Sequence, residues 1–200
     1  MSRVVVGDDG VSRCAWGAST PEYQDYHDHE WGRPVGDDGR VFEKLCLEGF
    51  QAGLSWLTIL RKRDGFRNAF AGFDPALVAA FGDGDIDRLL ADAGIVRHRG
   101  KILATINNAQ ATVRLRDQHV SLAALVWKHE PTPLTGDDLP ASTPESKALS
   151  AELRRHGFRF VGPTTVYAAM QSLGIVNDHA ADCEFRAIAQ SERARFRVPN

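Results

Sequence analysis

The sequence predicts an all-α protein. Three observations lead there: apolar residues recur at helical spacing through most of the chain, the points where those runs begin carry Ser, Thr or Asp next to Pro or an acid, and no stretch alternates with period two long enough to require a strand. Thr20-Pro21 is a cap followed by proline at the first helical position, and with Glu22 in the first turn it predicts a short helix to about His29. Tyr23, Tyr26 and His27 then share one face. From Asp38 the positions Phe42, Leu45, Cys46 and Gly49 recur at helical spacing, with Glu48 embedded among them. Gly53 breaks that run and Ser55 caps the next, which presents Trp56, Leu57, Ile59 and Leu60. Asp74-Pro75 opens another helix, and Asp85 to Ala93 one more, stopped by Gly94. Lys101 to Arg116 is a helix with Ile102, Ile106, Ala109 and Val113 inward. Thr143-Pro144-Glu145 starts a helix ending at His156-Gly157, and Pro163 to Leu173 is closed by Gly174.

A chain of 200 residues and 43% hydrophobic composition is long and apolar enough for one domain with a real core. The longest uncharged stretch, Phe160 to Asn177, has the length of a membrane span but contains two Gly, a Pro and several Thr, Ser and Gln, which excludes a transmembrane reading. The start, MSRVVVGDDG, offers only three consecutive apolar residues before two acids, too few for a signal-peptide core, so the expected compartment is the cytoplasm. Three cysteines, Cys14, Cys46 and Cys183, fit metal binding or plain burial better than a disulfide framework. The net charge of −2 says nothing for nucleic acid, but it is unevenly spread: residues 1–60 carry 5 Lys/Arg against 10 Asp/Glu, and residues 61–120 carry 10 against 7. Basic clusters stand at Arg61–Arg63, at Arg97 to Lys101 and at Arg154 to Arg159, where they also read as ordinary helix ends.

Three constellations could carry chemistry. Cys14 and His27 lie thirteen residues apart, and His179 and Cys183 four apart, a spacing that puts both on one helix face. Two Cys with two His form a standard tetrahedral zinc set, closed to water and therefore structural. The alternative is four unrelated residues, since the halves are far apart in sequence and His29 is an equally good neighbour of His27. Secondly, Trp16, Tyr23, Tyr26, Trp31 and Trp56 crowd the region around Glu48. Such aromatics commonly make core, but a carboxylate among them needs a reason for its burial, and the set suits a flat, amine-bearing, cationic ligand such as a nucleobase. Thirdly, Ala93 to Ile102 and Gly157 to Thr165 each place one glycine at the end of a helix and a second at the entrance to the next. Free amides at such a start can hold a phosphate; an ordinary αα-hairpin has the same pattern.

Longer motifs connect these features. Cys14-Ala15-Trp16; Tyr23-x-x-Tyr26-His27-Asp28-x-Glu30-Trp31-Gly32; Leu45-Cys46-Leu47-Glu48-Gly49-x-Gln51-Ala52-Gly53-Leu54-Ser55-Trp56; Ile95-x-Arg97-His98-Arg99-Gly100-Lys101-Ile102; Phe158-x-Phe160-Val161-Gly162-Pro163-Thr164; and Val176-Asn177-Asp178-His179 resemble DNA-3-methyladenine glycosylase I, a family of the helix-hairpin-helix DNA glycosylases. The similarity runs from about Arg13 to Cys183. It implies an all-α helix-hairpin-helix fold over residues 13–185, with two helical lobes, a base pocket between them and a zinc staple joining the terminal segments; residues 1–12 and 186–200 are expected to be flexible tails. The implied activity is hydrolysis of the N-glycosidic bond of 3-methyladenine in double-stranded DNA by a monomeric, monofunctional enzyme. By resemblance Cys14, His27, His179 and Cys183 bind Zn2+, Glu48 and Tyr26 hydrogen-bond the base, Trp56 stacks on it, and Trp16, Tyr23 and Trp31 line the pocket. Gly53 and Leu54 match a wedge that fills the opened duplex, and Phe160, Val161, Gly162, Thr164 and Thr165 a phosphate-binding hairpin. Many members of the superfamily carry a catalytic Asp in a Val-Asp-x-His setting; the corresponding place here is Asn177, which argues against a carboxylate beside the sugar, and Asp178 is not assigned that role. The rival reading is a non-catalytic zinc-stapled DNA-binding module, which would have no use for Glu48 in an aromatic cluster.

Overall fold

The computed structural model describes residues 3–132 and 139–200. Where a cap was legible, the helix starts there. Thr20 accepts from the Tyr23 amide to open α1 (Pro21–His29), Asp37 from the Arg40 amide to open α2 (Asp38–Gln51), and Ser55 from the Thr58 amide to open α3 (Trp56–Arg61). α4 (Arg63–Ala69) follows after a single residue, Lys62, which offers no side-chain cap. After a short 3₁₀ turn come α5 (Pro75–Ala79), α6 (Asp83–Ala91), the long α7 (Arg99–Asp117) and α8 (Leu122–Trp127). α9 (Pro144–Arg155), α10 (Pro163–Ser172) and α11 (Glu184–Arg195) complete the order.

The expectation of a chain without strands is corrected. The chain is not wholly helical: β1 (Val4–Val6) pairs antiparallel with β2 (Ser12–Cys14), Val5 opposite Arg13. The segments expected to be flexible tails also carry regular structure, since β1 falls within residues 1–12 and most of α11 lies beyond residue 185. The first of them is tied to the start of α11: the Ser12 amide donates to Glu184 Oε1 at 2.9 Å and the Ser12 hydroxyl to the Asp182 carbonyl at 2.8 Å.

Buried α2 is the axis of the larger core, with Phe42, Leu45 and Phe50 packed among Phe66, Phe70, Ile102, Val166 and Met170. A separate small cluster of Cys14, Ala180 and Cys183, with Val4 and Phe185 against it, holds the termini. The C-terminal end of α10 is fastened to the segment after α1 by Gly32 N to Gln171 O (3.2 Å) and Val35 N to Leu173 O (3.1 Å). Gly174 makes that contact feasible: its φ is +71°, and a Cβ there would stand 2.5 Å from the Arg33 carbonyl carbon. Glu48 on α2 is thereby brought against the aromatics of α1.

Candidate active site and metal centre

The aromatic constellation forms one cavity of about 310 Å³. Trp16, Tyr23, Tyr26 and Trp31 come from around α1, Glu48 and Gln51 from α2, Trp56 from α3, Ala168 and Gln171 from α10, and Leu139 completes the wall. Tyr26 is buried and its ring lies 5.4 Å from that of Trp56, while Trp16 meets Tyr23 edge-on at 5.6 Å and Trp31 edge-on at 5.0 Å. The Tyr23 hydroxyl accepts from the Leu57 amide at 3.0 Å, which fixes the first turn of α3 and so the Trp56 ring. The indole N–H of Trp56 is buried and finds no acceptor among the described residues.

Glu48 is 5% exposed. Burial pushes its carboxyl up to about 8, with Lys44 and the Ser172 hydroxyl pulling the other way. Burial, followed by the charges of Glu48 and Glu30, raises the Tyr26 hydroxyl, so Tyr26 is a neutral donor at the same wall. Lys44, one turn before Glu48 on α2, was not singled out by the sequence. It is buried, donates to Glu30 Oε1 at 2.7 Å and sits 5.8 Å from the Tyr26 ring centre. Arg63 completes this network on Glu30.

A larger cavity, about 460 Å³, borders Asn177, Asp178, Arg186 and Arg193. Most of its groups are already engaged: Asp178 accepts from the Tyr167 hydroxyl at 2.7 Å and Gln171 Nε2 at 2.8 Å, Asn177 Nδ2 donates to the Arg186 carbonyl, Arg186 donates to the His179 carbonyl, and Arg193 pairs with Glu130, while Asn177 Oδ1 is buried without a partner among the described residues. The smaller aromatic cavity sets a buried carboxyl group among aromatic rings, and chemistry rather than size selects it.

Cys14, His27, His179 and Cys183 are all buried, with ligand atoms within 4.8 Å of one another. His179 Nδ1 lies 3.2 Å from His27 Nε2, 3.8 Å from Cys14 Sγ and 3.5 Å from Cys183 Sγ, and Cys183 Sγ is 3.6 Å from His27 Nε2. The outer nitrogens are held: His27 Nδ1 by Asp28 Oδ1 at 2.7 Å, itself held by Arg13, and His179 Nε2 by the Trp31 carbonyl at 3.3 Å. This turns one nitrogen of each ring to the shared centre, as a metal ligand requires, and the group could hold a metal ion. The route to it corrects the sequence reading. His179 and Cys183 are not on a helix face; Cys183 precedes α11, and the turn is closed by its amide on the Ala180 carbonyl at 3.0 Å.

Gly53 and Leu54 form an exposed tip between α2 and α3, Gly53 at φ +80° and Leu54 43% exposed. In the connection from α9 to α10, Phe160 is exposed at φ +55° and Thr164 is exposed, whereas Val161 has its side chain in the core and its carbonyl on the Ser150 hydroxyl. The Val161 side chain is claimed by packing, which leaves only its backbone to face a ligand. α10 begins at Gly162 without a side-chain cap, and Thr165 lies in its first turn. The equivalent start of α7 is capped by His98 Nδ1 on the Lys101 amide at 3.3 Å, so the two hairpin-like connections are not equivalent.

The methyladenine glycosylase family profile matches residues 16–187. The chain belongs to this family. It is 46% identical over 179 residues to DNA-3-methyladenine glycosylase 1 of Escherichia coli (strain K12), covering 86% of this chain and 96% of the relative. It is 44% identical to DNA-3-methyladenine glycosylase of Haemophilus influenzae, covering 86% and 97%. The crystal structure of a variant 3-methyladenine DNA glycosylase I in complex with 3-methyladenine superposes with a TM-score of 0.82 at 36% identity, covering 87% of this chain and 97% of that one. All the aromatic, carboxylate and hairpin residues discussed lie within the family span. Cys14 stands just before it, and the last two turns of α11 lie beyond it.

Proposed function

We infer that the protein is a DNA-3-methyladenine glycosylase, which hydrolyses the N-glycosidic bond of 3-methyladenine in alkylated double-stranded DNA and leaves an abasic site for base excision repair. The observation that carries this is a buried carboxylate, Glu48, facing an aromatic cavity with no hydrogen-bonded cation of its own. N3 methylation makes adenine cationic in DNA, so its glycosidic bond is already weakened and the base departs neutral without protonation by an acid. The protein's part is to take the flipped base out of the stack and hold it. Glu48 accepts from the exocyclic amine and offsets the positive charge, Tyr26 donates beside it, and Trp56 stacks on the electron-poor ring. Trp16, Tyr23 and Trp31 exclude water around the base. Undamaged adenine is neutral and gains less from either Glu48 or Trp56. The described wall of the cavity holds no lysine, and Lys44 behind it is spent on Glu30, so attack by water rather than a Schiff base accounts for the release.

Gly53 and Leu54 act as the wedge in the opened duplex, and the α9–α10 connection as a helix-hairpin-helix element whose uncapped α10 amides, with Thr164 and Thr165, take a phosphate. The chain acts as a cytoplasmic monomer. The metal is Zn2+, held by Cys14, His27, His179 and Cys183: tetrahedral zinc with bonds of about 2.0 to 2.3 Å gives ligand separations of about 3.3 to 3.8 Å, near the 3.2, 3.5, 3.6 and 3.8 Å found for four of the pairs, with every pair within 4.8 Å. It supplies structure, not chemistry, since four protein ligands leave no position for water. A non-catalytic module would bear the cost of burying Glu48 for nothing. Incubating the purified protein with methylated DNA and identifying the released base tests the reading: 3-methyladenine is expected, and no released base would overturn it.

A further inference from the structure

Helix α7 touches both segments assigned above to DNA, through polar side chains whose hydrogen bonds end on backbone atoms. Lys101, in its first turn, is buried; its ammonium donates to the Phe50 carbonyl at 2.7 Å and the Ala52 carbonyl at 2.6 Å, immediately before Gly53 and Leu54. Seven residues on, two turns along the same face, buried Asn108 accepts from the Arg159 amide at 2.7 Å and donates to the Arg159 carbonyl at 3.0 Å. Asn107 donates to the Gly157 carbonyl at 2.6 Å. Phe160 bridges the two grips: a Cβ on Gly49 would stand 3.4 Å from the Phe160 Cβ, and the Phe160 ring lies edge-on to His98, 6.5 Å away.

Water can satisfy the last carbonyls of a helix that ends at the surface. A buried ammonium is a costlier partner for them, and what it adds is a fixed position. The same holds at Phe160, whose left-handed backbone needs an external restraint; the two-way bond of Asn108 to the preceding residue provides one. We propose that Lys101 and Asn108 are positioning residues that lock the Gly53-Leu54 tip and the Gly157–Gly162 hairpin onto one rigid helix, so that wedge and phosphate contact meet the duplex at a preset spacing. Neither touches the base. The inference rests on the DNA-facing assignment of those two segments.

The test compares free-base binding with excision in the full-length chain. Lys101→Met should bind free 3-methyladenine, followed by tryptophan fluorescence, within twofold of the unsubstituted protein, while kcat/KM for release from methylated duplex falls at least tenfold. Lys101→Arg, which can still donate to both carbonyls, should restore part of that loss. Asn108→Ala should show the same split and carries the test if Lys101→Met does not fold. Unchanged duplex excision, or base binding and excision falling in equal proportion, would overturn the proposal. Leu54→Ala separates the levels: if it leaves duplex excision unchanged, the wedge assignment itself is wrong, whereas if it impairs excision and Lys101→Met does not, only the positioning role falls.

Discussion

Glu48 occupies its site at the expense of stability. Its carboxyl stands at about 8 against 4.5 for a free glutamate, burial being the main cause, so between those values the folded chain holds a proton that the unfolded chain has released. The state that binds more protons is disfavoured as protons become scarce, and stability should fall as pH rises from about 4.5 through about 8. Glu48→Gln cannot ionise and should flatten that slope, melting above the unsubstituted protein at pH near 8.5 and close to it near pH 5. Activity should run the other way. The carboxylate is the form that offsets a cationic base, so release of 3-methyladenine should rise with pH toward a midpoint near 8, and Glu48→Gln should lose that limb. A charged hydrogen bond is worth roughly 1.5 to 3 kcal/mol, a loss of about ten to a hundredfold in rate. Excision at the original rate by the folded variant would remove Glu48 from base recognition. Glu48 was legible because an acid inside an apolar helical run is conspicuous. Lys44, Lys101 and Asn108 were not, because a Lys or Asn on a helix reads as solvent-facing until the partner carbonyls and carboxylates are placed by the fold.

Among elements, most helix starts with a Ser, Thr or Asp cap next to Pro or an acid were readable, whereas the short α8, capped by Ser121, and two uncapped helices were not. α4 follows α3 after the uncapped Lys62 and α11 follows Cys183 directly, so periodicity over a few residues was the only signal for either. β1 and β2 escaped notice because three residues each, joined through Gly7 and Gly10, are too short to show alternation. The start of α10 shows what a sequence pattern leaves open. Gly162 has φ −64° and ψ 158°, a conformation any residue adopts, and the nearest atom to a Cβ there is an Arg154 nitrogen 3.9 Å away. Neither backbone strain nor packing demands glycine, which leaves close approach of a ligand to the backbone as the physical reason for it. Gly162→Val should therefore melt within a degree or two of the unsubstituted protein, yet bind damaged and undamaged duplex more weakly in equal measure. A salt titration should give a shallower slope of log affinity, since phosphate contacts release counterions; a loss confined to particular sequences would contradict a phosphate-only contact.

At the scale of the whole molecule, the two apolar clusters are very unequal. The larger one runs from α2 through α10, whereas the terminal one is Cys14, Ala180 and Cys183 with two half-buried neighbours. Those five side chains bury little surface against the entropy of freeing β1 and β2, and on the zinc reading proposed above the four-ligand cluster adds to the contacts that fasten the chain ends, beside the pairing of α11 with Glu130 and Arg33. The sequence supplied the ligands and their number; that residues so distant meet is a property of the fold, which folds α1 and the turn before α11 onto β2. A cross-link closing a loop of more than 100 residues restricts the unfolded chain by about 4 to 5 kcal/mol, and at about 2 to 4 °C per kcal/mol for a domain of this size its loss should lower the melting temperature by up to about 10 to 20 °C. Protein purified without a tag should carry about one zinc per chain by elemental analysis, and Cys183→Ala or chelation should produce that drop. Hydrogen exchange should accelerate first in residues 3–16 and 178–195, while the α2 and α7 amides keep their protection. Excision should then fall as well, because Tyr26 adjoins the His27 ligand on α1 and Trp31 follows just beyond that helix, so the pocket wall moves with it, whereas the base preference of the remaining activity stays unchanged. A metal-free chain with the same melting temperature and a protected β-hairpin would mean that the cluster is packing, and that the termini are held by contacts such as those of Ser12 to Asp182 and Glu184 and of Arg193 to Glu130.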